Sequence, residues 1–459
     1  MLKAKEIDMT KGNPSSLLLQ FLLPLVLGNI FQQFYNMADT IIVGHYVGVK
    51  ALAAVGATGN IMFLIFGFVT GLLQGFAVIT SQRFGAGDVR GVKKSVGNAL
   101  VLSLIITVIF TIGSCLAMDF MLSVMNTPQD VYDMSKTYII TICYGTCCNV
   151  LYNLMASLLR AVGNSKIPLY FLIVSAGLNI LLDIVFIANF NMGVLGAALA
   201  TLISQGISGV LCVAYTWKKV EILVPSTSDL HLDHQCVKNQ LQMGIPMALQ
   251  FSITAIGTIM VQSALNLLGT VAMASYTVAC KIEQLFTQFF SAMGMTCATY
   301  SGQNVGSGKI KRINLGVRYA LLYCFIYALL IYAILFNTCP FFVKLFVDSK
   351  ESAESIVVIT GYVKEYIHLC GLMFFPLGMI FVFRNILQGS GYSFWPMMGG
   401  VVELICRAIA ANFAVRSNNF TSICYANAST WLVTGLFLFG CYLAIMPKLY
   451  RRFGIDKKK

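Results

Sequence analysis

The sequence predicts an all-α polytopic membrane protein with twelve transmembrane helices. Of its 459 residues, 58% are hydrophobic and 11% are charged, and the mean hydropathy is +0.78. Soluble domains carry about a quarter of their residues as charges, so this shortage of charge along the whole chain indicates a lipid environment. Twelve apolar segments each reach the length of about 20 residues that crosses a bilayer. They cover residues 17–44, 51–80, 95–118, 132–161, 168–190, 193–217, 241–265, 271–300, 316–338, 357–388, 395–415 and 422–447.

The net charge is +13, and the basic residues behind it are distributed as expected for a membrane protein. With the N-terminus inside, most of the 31 Lys and Arg residues fall in the two tails and the inward loops, including Arg83, Arg90, Lys93, Lys94 and the run 457–459. This asymmetry follows the positive-inside rule and predicts that both termini are cytoplasmic. The polar N-terminus has no small-residue cleavage site, so the first apolar segment is predicted to remain as a helix. The basic residues set the orientation and contact membrane lipids, and they do not indicate nucleic-acid binding.

The chain contains an internal repeat. "SQRFGAGDVRGVKKSVGNAL" (81–100) recurs as "SGQNVGSGKIKRINLGVRYAL" (301–321), and "LLRAVGNSKIP" (158–168) recurs as "NILQGSGYSFWP" (385–396). Each copy holds six helices, so both enter the membrane in the same direction. This predicts two six-helix lobes related by a pseudo-two-fold along the membrane normal, with a central cavity between them. The N-terminal lobe is expected at 1–217, a cytoplasmic linker at 218–240 and the C-terminal lobe at 241–459.

The stretch "GQNVGSGKI" resembles a phosphate-binding loop but does not fit one. Five residues separate Gly302 from Gly308 instead of four, and Ile310 stands where Ser or Thr would hold magnesium. The segment also follows a membrane helix and not a strand. We therefore expect turns between helices at both copies, with no bound nucleotide and no ATPase. Transport by this chain would draw on an ion gradient, and the duplicated plan suits alternating access better than a static pore.

Polar residues within the spans indicate a cation site in the N-terminal half. Asp39, Asp183 and Thr201 lie at comparable depths, counted from the outer ends of spans one, five and six at about 1.5 Å per residue, and Asn179 shares a helix face with Asp183. Two carboxylates, an amide oxygen and a hydroxyl would bind a small cation or share a proton. The alternative is a buried hydrogen-bonded cluster that only holds helices together. Because acids within membrane spans are functional by default, we expect the cation site.

The other polar residues within the spans can be interpreted in two ways, as ion pairs or as contacts to a substrate. Gln32 and Asn36 share a helix face with Asp39. Glu403 lies four residues before Arg407 in "GVVELICRAIA", which predicts a neutralised ion pair, and Lys281 close to Glu283 allows a second. In the alternative, Glu283 faces the cavity and meets a cationic substrate, with Gln32 and Asn36 as further cavity residues. Two arginines close to inner helix ends are expected to snorkel to the surface: Arg160 and Arg384.

The order of motifs along the chain resembles that of the multidrug and toxin extrusion (MATE) transporters. The resemblance spans essentially the whole chain and is carried by "NMADTIIVGHYVG", "SQRFGAGD", "LLRAVGNSK", "GLNILLDIVFI", "GVLGAALAT", "ILQGSG" and "ELICR". It implies export of small organic cations in exchange for sodium ions or protons, by rocking of the two lobes. In the prokaryotic branch that this chain resembles, the coupling residues match Asp39, Asn179, Asp183 and Thr201. A second branch has coupling acids on helices seven and ten, and here span seven has none.

Three other functions remain as alternatives. A flippase for a lipid-linked precursor would share the architecture, but its cavity would need several cationic residues for a pyrophosphate. A membrane-embedded enzyme would need a metal cluster or catalytic centre, whereas the four His residues are scattered. A simple channel does not explain the duplicated plan. We therefore expect a non-enzymatic exporter in the cell (inner) membrane, acting as a monomer with no cofactor besides the coupling ion, which is sodium or a proton.

Overall fold

The computed structural model describes residues 6–125, 127–346, 353–417 and 419–454, and in these the chain is almost entirely helical. The basic run predicted at 457–459 lies outside the described residues. The first half contains α1 (Pro14–Tyr46), α2 (Val49–Gly85), α3 (Val89–Val124), α4 (Gln129–Tyr144), α5 (Thr146–Ala161), α6 (Lys166–Asp183) and α7 (Gly193–Lys219). The second half contains α8 (His234–Asn266), α9 (Thr270–Gly306), α10 (Ile310–Phe346), α11 (Ala353–Leu372), α12 (Phe374–Gly389), α13 (Phe394–Ser417) and α14 (Phe420–Arg452).

The predicted spans correspond to these helices. Within the described part of the chain, nine helices are long and apolar enough to cross a membrane. Two bent pairs, α4–α5 at 51° and α11–α12 at 49°, raise the number to eleven. The remaining predicted span is α9, which has 37 residues and includes the charged pair Lys281 and Glu283. Large exposed apolar side chains such as Leu116 (81%) and Phe120 (72%) would be unfavourable in water and are expected to face lipid.

The internal repeat is visible in the turns. α2 ends at Gly85 and α3 begins at Val89, while α9 ends at Gly306 and α10 begins at Ile310. Gly87 and Gly308 both have φ of 71°, a left-handed conformation that favours glycine. The phosphate-loop-like stretch is therefore a turn between helices, as predicted. One difference breaks the repeat: a π-helical segment, Ile184–Asn189, follows α6, whereas α13 runs uninterrupted.

The described residues form two compact units. The first unit contains the residues up to Gly12, Leu19–Ser252 and Gly302–Ser307, and the second contains Asn13–Leu18, Ile253–Ser301 and the residues from Gly308 onward. The core of the first unit is built by α2, α3, α5 and α7, with fully buried residues such as Leu73, Phe76 and Leu158. On α2, a Cβ at Gly75 would lie 2.4 Å from the Cα of Gly244 on α8. Small residues thus allow the two backbones to pack closely.

The linker predicted at 218–240 is folded onto the first unit. Two short 3-10 turns, Glu221–Leu223 and Thr227–Leu230, lie against α3. The buried Asn98 side chain accepts from the Asp233 N–H at 2.8 Å and donates to the His231 carbonyl at 3.3 Å. Lys94 forms an ion pair with Asp233 at 2.8 Å, and this contact lowers the pKa of the carboxyl group. The linker therefore belongs to a folded unit and is not a free tether.

Candidate functional site

The four residues predicted to bind a cation are buried in the first unit. Asp39 lies on α1, Asn179 and Asp183 lie on α6, and Thr201 lies on α7. Asn179 and Asp183 are fully buried, and Asp39 and Thr201 are 8% and 9% exposed. The π-helical segment begins directly after Asp183. Such segments are frequent at functional sites because they reorient a helix within one turn.

The structure brings these side chains together. Asn179 Nδ2 donates to Thr201 Oγ1 at 3.4 Å, and the carboxyl groups of Asp39 and Asp183 lie beside each other. Sequence reasoning missed two tyrosines of the cluster. The Tyr35 hydroxyl donates to Thr201 Oγ1 at 3.3 Å, and Tyr138 on α4 is buried within electrostatic range of both carboxyl groups. Tyr35 could have been found, because it precedes Asp39 by one helical turn and shares its face.

The site has more acceptors than donors. Four buried oxygens have no hydrogen-bond partner: Asp39 Oδ1, Asn179 Oδ1 and both carboxylate oxygens of Asp183. A buried polar atom without a partner costs about 1–3 kcal/mol, and more if it is charged. Among the described residues, no Lys, Arg or His forms an ion pair with either carboxylate.

A cation, a proton or a bound water would satisfy such oxygens, and a cation or a proton would also neutralise the carboxylate charge. Hard alkali and alkaline-earth cations prefer carboxylate and carbonyl oxygens, so the residues present fit a small hard cation. They also fit a proton, because a protonated carboxyl group would donate to its neighbour. In the described residues, no group of three or more His, Cys, Asp or Glu side chains is suited to a metal ion such as zinc.

A small polar cavity adjoins this cluster through Tyr35. Its volume is about 50 Å³, and its walls include Gln32 on α1, Asn149 and Asn153 on α5, and Gln205 on α7. This space holds one or two waters, at about 30 Å³ each. Asn36, predicted as a cavity residue with Gln32, is exposed on α1 and is not among the lining residues.

Glu283 is half-buried in a hydrogen-bonded network of the second unit. Its carboxylate accepts from the Tyr366 hydroxyl on α11. Asn427 Nδ2 on α14 donates to the Tyr366 hydroxyl at 2.8 Å and to the Tyr276 hydroxyl at 3.3 Å. The predicted Lys281–Glu283 ion pair is wrong, since Lys281 is exposed and no ion pair joins the two in the described chain.

The ion pair predicted between Glu403 and Arg407 is also wrong. Glu403 on α13 pairs instead with Arg384 on the adjacent α12, and both are at least nine-tenths buried. Arg384 therefore does not snorkel to the surface. Arg407 donates to the Thr254 carbonyl at 3.3 Å and to Thr258 Oγ1 at 3.2 Å. Glu403 thus pairs with an arginine on a neighbouring helix and not with the arginine one turn away on its own helix. Sequence spacing cannot reveal a partner on another helix.

Arg160, the other arginine expected to snorkel, is half-buried at the end of α5. Its Nη2 donates to Ser157 Oγ at 2.9 Å, within the same helix.

These features define a polytopic membrane protein with a duplicated helical fold and a buried acidic cluster. The MatE family model matches the chain twice, at residues 24–185 and 244–412, once in each repeat. The matches cover more than half of the chain, so the chain belongs to the MatE family. They also confirm the internal duplication and the MATE resemblance predicted from the motifs.

Curated relatives are similar to this chain over most of its length. The probable multidrug resistance protein YpnP of Bacillus subtilis is 26% identical over 387 residues, which are 84% of this chain and 85% of the relative. The probable multidrug resistance protein NorM of Thermotoga maritima is 24% identical, covering 83% and 81% of the two chains.

Solved structures confirm the fold. A crystal structure of a MATE protein in complex with MaL6 aligns with a TM-score of 0.89 and 22% identity, covering 98% of this chain and 100% of the other. An outward-facing multidrug resistance MATE transporter of the MOP superfamily aligns at 0.90 and 23% identity, covering 98% and 99%. The predicted all-α architecture of twelve helices in two lobes is the fold of these proteins.

Proposed function

We propose that the chain is a secondary active multidrug efflux transporter, which exports small organic cations in exchange for sodium ions or protons by alternating access. The observation that carries this proposal is the buried cluster of Asp39, Asn179 and Asp183, in which four oxygens have no hydrogen-bond partner. Such a cluster is unstable as a purely structural element and gains stability from a bound cation. The names of the multidrug relatives support the substrate class.

The coupling ion would bind at Asp39, Asn179, Asp183 and Thr201. Sodium would take oxygens from both carboxylates, from the Asn179 amide and from the Thr201 hydroxyl. Thr201 Oγ1 already accepts two hydrogen bonds, at 3.3 and 3.4 Å. These are longer than ordinary bonds and therefore weak, so a cation could displace one of them. A proton would instead neutralise one carboxyl group and bond it to the other. Both events change the local charge and bias the lobe between two shapes.

The residues proposed to contact the substrate are polar or acidic. Gln32, Asn36 and Glu283 are our proposed contacts, with Glu283 supplying the negative charge for an organic cation. The tyrosines beside Glu283 support this role, because aromatic faces attract cations. The cavity at Gln32 is too small for a drug, so we propose that it holds water or ligand atoms at the edge of a larger site.

The proposed setting is the cell (inner) membrane, with both termini cytoplasmic. Support comes from the basic residues at the α2–α3 turn, the linker and the α9–α10 turn, which fall on the predicted inner side. The lobe boundaries of 1–217, 218–240 and 241–459 remain our proposal, as do the monomeric state, the lipid contacts and the lack of a cofactor or an enzymatic activity.

Transport into proteoliposomes tests the proposal. Purified protein would be reconstituted with a fluorescent organic cation, and an imposed sodium gradient and an imposed pH gradient would be applied separately. We expect transport by the wild type under one of these gradients and none by Asp39→Asn or Asp183→Asn. Asp119→Asn is the matched control, because Asp119 is an exposed acid paired with Lys136. Absence of wild-type transport under both gradients would overturn the proposal, and normal transport by both cluster variants would overturn the site.

A further inference from the structure

The segment that precedes α1 is polar and lies outside every predicted span, but two of its residues are buried. Met9 is fully buried and Thr10 is 6% exposed. The Asp8 carboxylate accepts from the Thr10 N–H at 2.9 Å and from Thr10 Oγ1 at 2.6 Å. This local turn fixes the direction of the chain and carries the Met9 side chain inward.

Gln303 and Asn304, in the last turn of α9, hold this segment. Gln303 Oε1 accepts from the Met9 N–H at 2.9 Å, while its Nε2 donates to the Ala161 carbonyl at the end of α5, at 3.0 Å. Asn304 Nδ2 donates to the Met9 carbonyl at 3.1 Å. Both side chains are fully buried. The amide of Gln303 therefore joins three chain segments that are distant in sequence.

Gly163 provides the space for this arrangement. The Ile7 N–H donates to the Gly163 carbonyl at 3.2 Å. Gly163 has φ of 90°, and a Cβ there would lie 2.1 Å from the Ile7 carbonyl oxygen. No other residue type would fit both the backbone conformation and the contact.

The helix ends beneath the segment also meet by backbone contact. A Cβ on Gly85, at the end of α2, would lie 2.0 Å from the Gln303 carbonyl oxygen, and one on Gly306 would lie 1.9 Å from that of Gln82. Gln82 and Gln303 are equivalent in the repeat. Gln303 accepts from the Met9 N–H, in the segment that precedes α1.

We propose that residues 6–10, together with Gln303 and Asn304, form a latch that stabilises the state closed to the cytoplasm. The inference rests on the proposed alternating access and orientation. Residues 302–307, at the end of α9, belong to the first unit, whereas the rest of α9 belongs to the second. In the proposed transport cycle, opening toward the cytoplasm would draw the end of α9 away from the ends of α2 and α5, and this would require the bonds to Met9 to break. The latch thus sets the ratio of closed to open states.

A reversible cross-link tests the latch. Met9→Cys and Asn304→Cys would be combined, oxidised with copper phenanthroline, verified by mass spectrometry and reduced with dithiothreitol. We expect the oxidised double variant to lose transport by at least about tenfold and to regain it on reduction, since a locked state does not exchange. It should still bind a fluorescent organic cation. The two single variants and the wild type, with its fourteen free cysteines, are the oxidised controls.

Hydrogen exchange tests the latch independently of transport. Gln303→Glu keeps an acceptor for the Met9 N–H but loses the donor to the Ala161 carbonyl. We expect exchange at least about tenfold faster in the peptides at the ends of α2, α5 and α9. The matched control is Gln235→Glu, an exposed linker amide bonded to Asn239. Unchanged exchange in Gln303→Glu, or full transport by the cross-linked protein, would overturn the latch. Faster exchange without wild-type transport would keep the latch and remove the proposed function.

Discussion

Thr201→Val is the sharpest test of the cation site. The Thr201 hydroxyl accepts from Asn179 Nδ2 and from the Tyr35 hydroxyl and would also be a cation ligand. Valine keeps the volume of the side chain and removes only the oxygen. The variant therefore loses one ligand and two long hydrogen bonds, while Asp39 and Asp183 remain in place.

The size of the effect follows from these contacts. The two hydrogen bonds, at 3.3 and 3.4 Å, are at the weak end of the range, so each contributes about 0.5 kcal/mol. Loss of one oxygen ligand out of several weakens binding by about 1.4 kcal/mol, or about tenfold in Kd. At an ion concentration 100 times the wild-type Kd, bound sodium stabilises the fold by about 2.7 kcal/mol, and a tenfold weaker site leaves about 1.4 kcal/mol.

The assay is thermal unfolding in detergent, with choline replacing sodium at constant ionic strength. We expect the stabilisation of the wild type by sodium to fall by about half in Thr201→Val. Thr201→Ser, which keeps the hydroxyl, should retain it. A full sodium response in Thr201→Val would refute the hydroxyl as a ligand. A wild type that responds to pH and not to sodium would identify the proton as the coupling ion.

Three further predictions concern contacts that hold the fold. Glu403→Gln leaves the buried Arg384 without a carboxylate partner and should lower the free energy of unfolding by about 3–5 kcal/mol, whereas replacing both partners with apolar residues should cost much less in the same denaturation assay. Asn98→Ala removes the hydrogen bonds that fasten the linker to α3, so limited proteolysis within the linker should become about tenfold faster. An unchanged rate of cleavage would show that these bonds do not hold the linker in place. Gly163→Ala should destabilise by about 2 kcal/mol more than Gly12→Ala in thermal unfolding, because Gly12 has a similar φ of 86° but open space around its Cβ position; equal effects would assign the loss to backbone strain alone.

Much of the fold could be predicted from hydropathy and from the positions of glycines. The apolar segments predict the helices, and the repeated turn at Gly87 and Gly308 predicts the duplication. The bends between α4 and α5 and between α11 and α12 were not predicted, since a change of direction of about 50° leaves the hydropathy of a span unchanged. The π-helical segment was missed for a similar reason, because its sequence is as apolar as that of the helix before it.

The candidate site was partly predictable from depth and helix face. Counting from the outer helix ends placed Asp39, Asp183 and Thr201 at one level, and Asn179, which shares a helix face with Asp183, donates a hydrogen bond to Thr201. The partner of Glu403 was not predictable, because it depends on how α12 and α13 pack. A neighbour on the same helix is always available to sequence reasoning, whereas Arg384 becomes a neighbour only when the helices meet.

The acids of the two units differ in how their charge is compensated, and this difference supports the proposed coupling role of the first unit. In the second unit, Glu403 has a guanidinium partner and Glu283 accepts from a tyrosine hydroxyl. In the first unit, Asp39 and Asp183 have each other as charged neighbours, and no described cationic side chain pairs with them. The ion-paired Glu403 gains little from an external cation, because binding would have to displace Arg384. An uncompensated pair gains a full charge interaction in a medium where water does not screen it. We therefore infer that ion exchange acts on the first unit, and that Glu403 holds helices together whatever the ion.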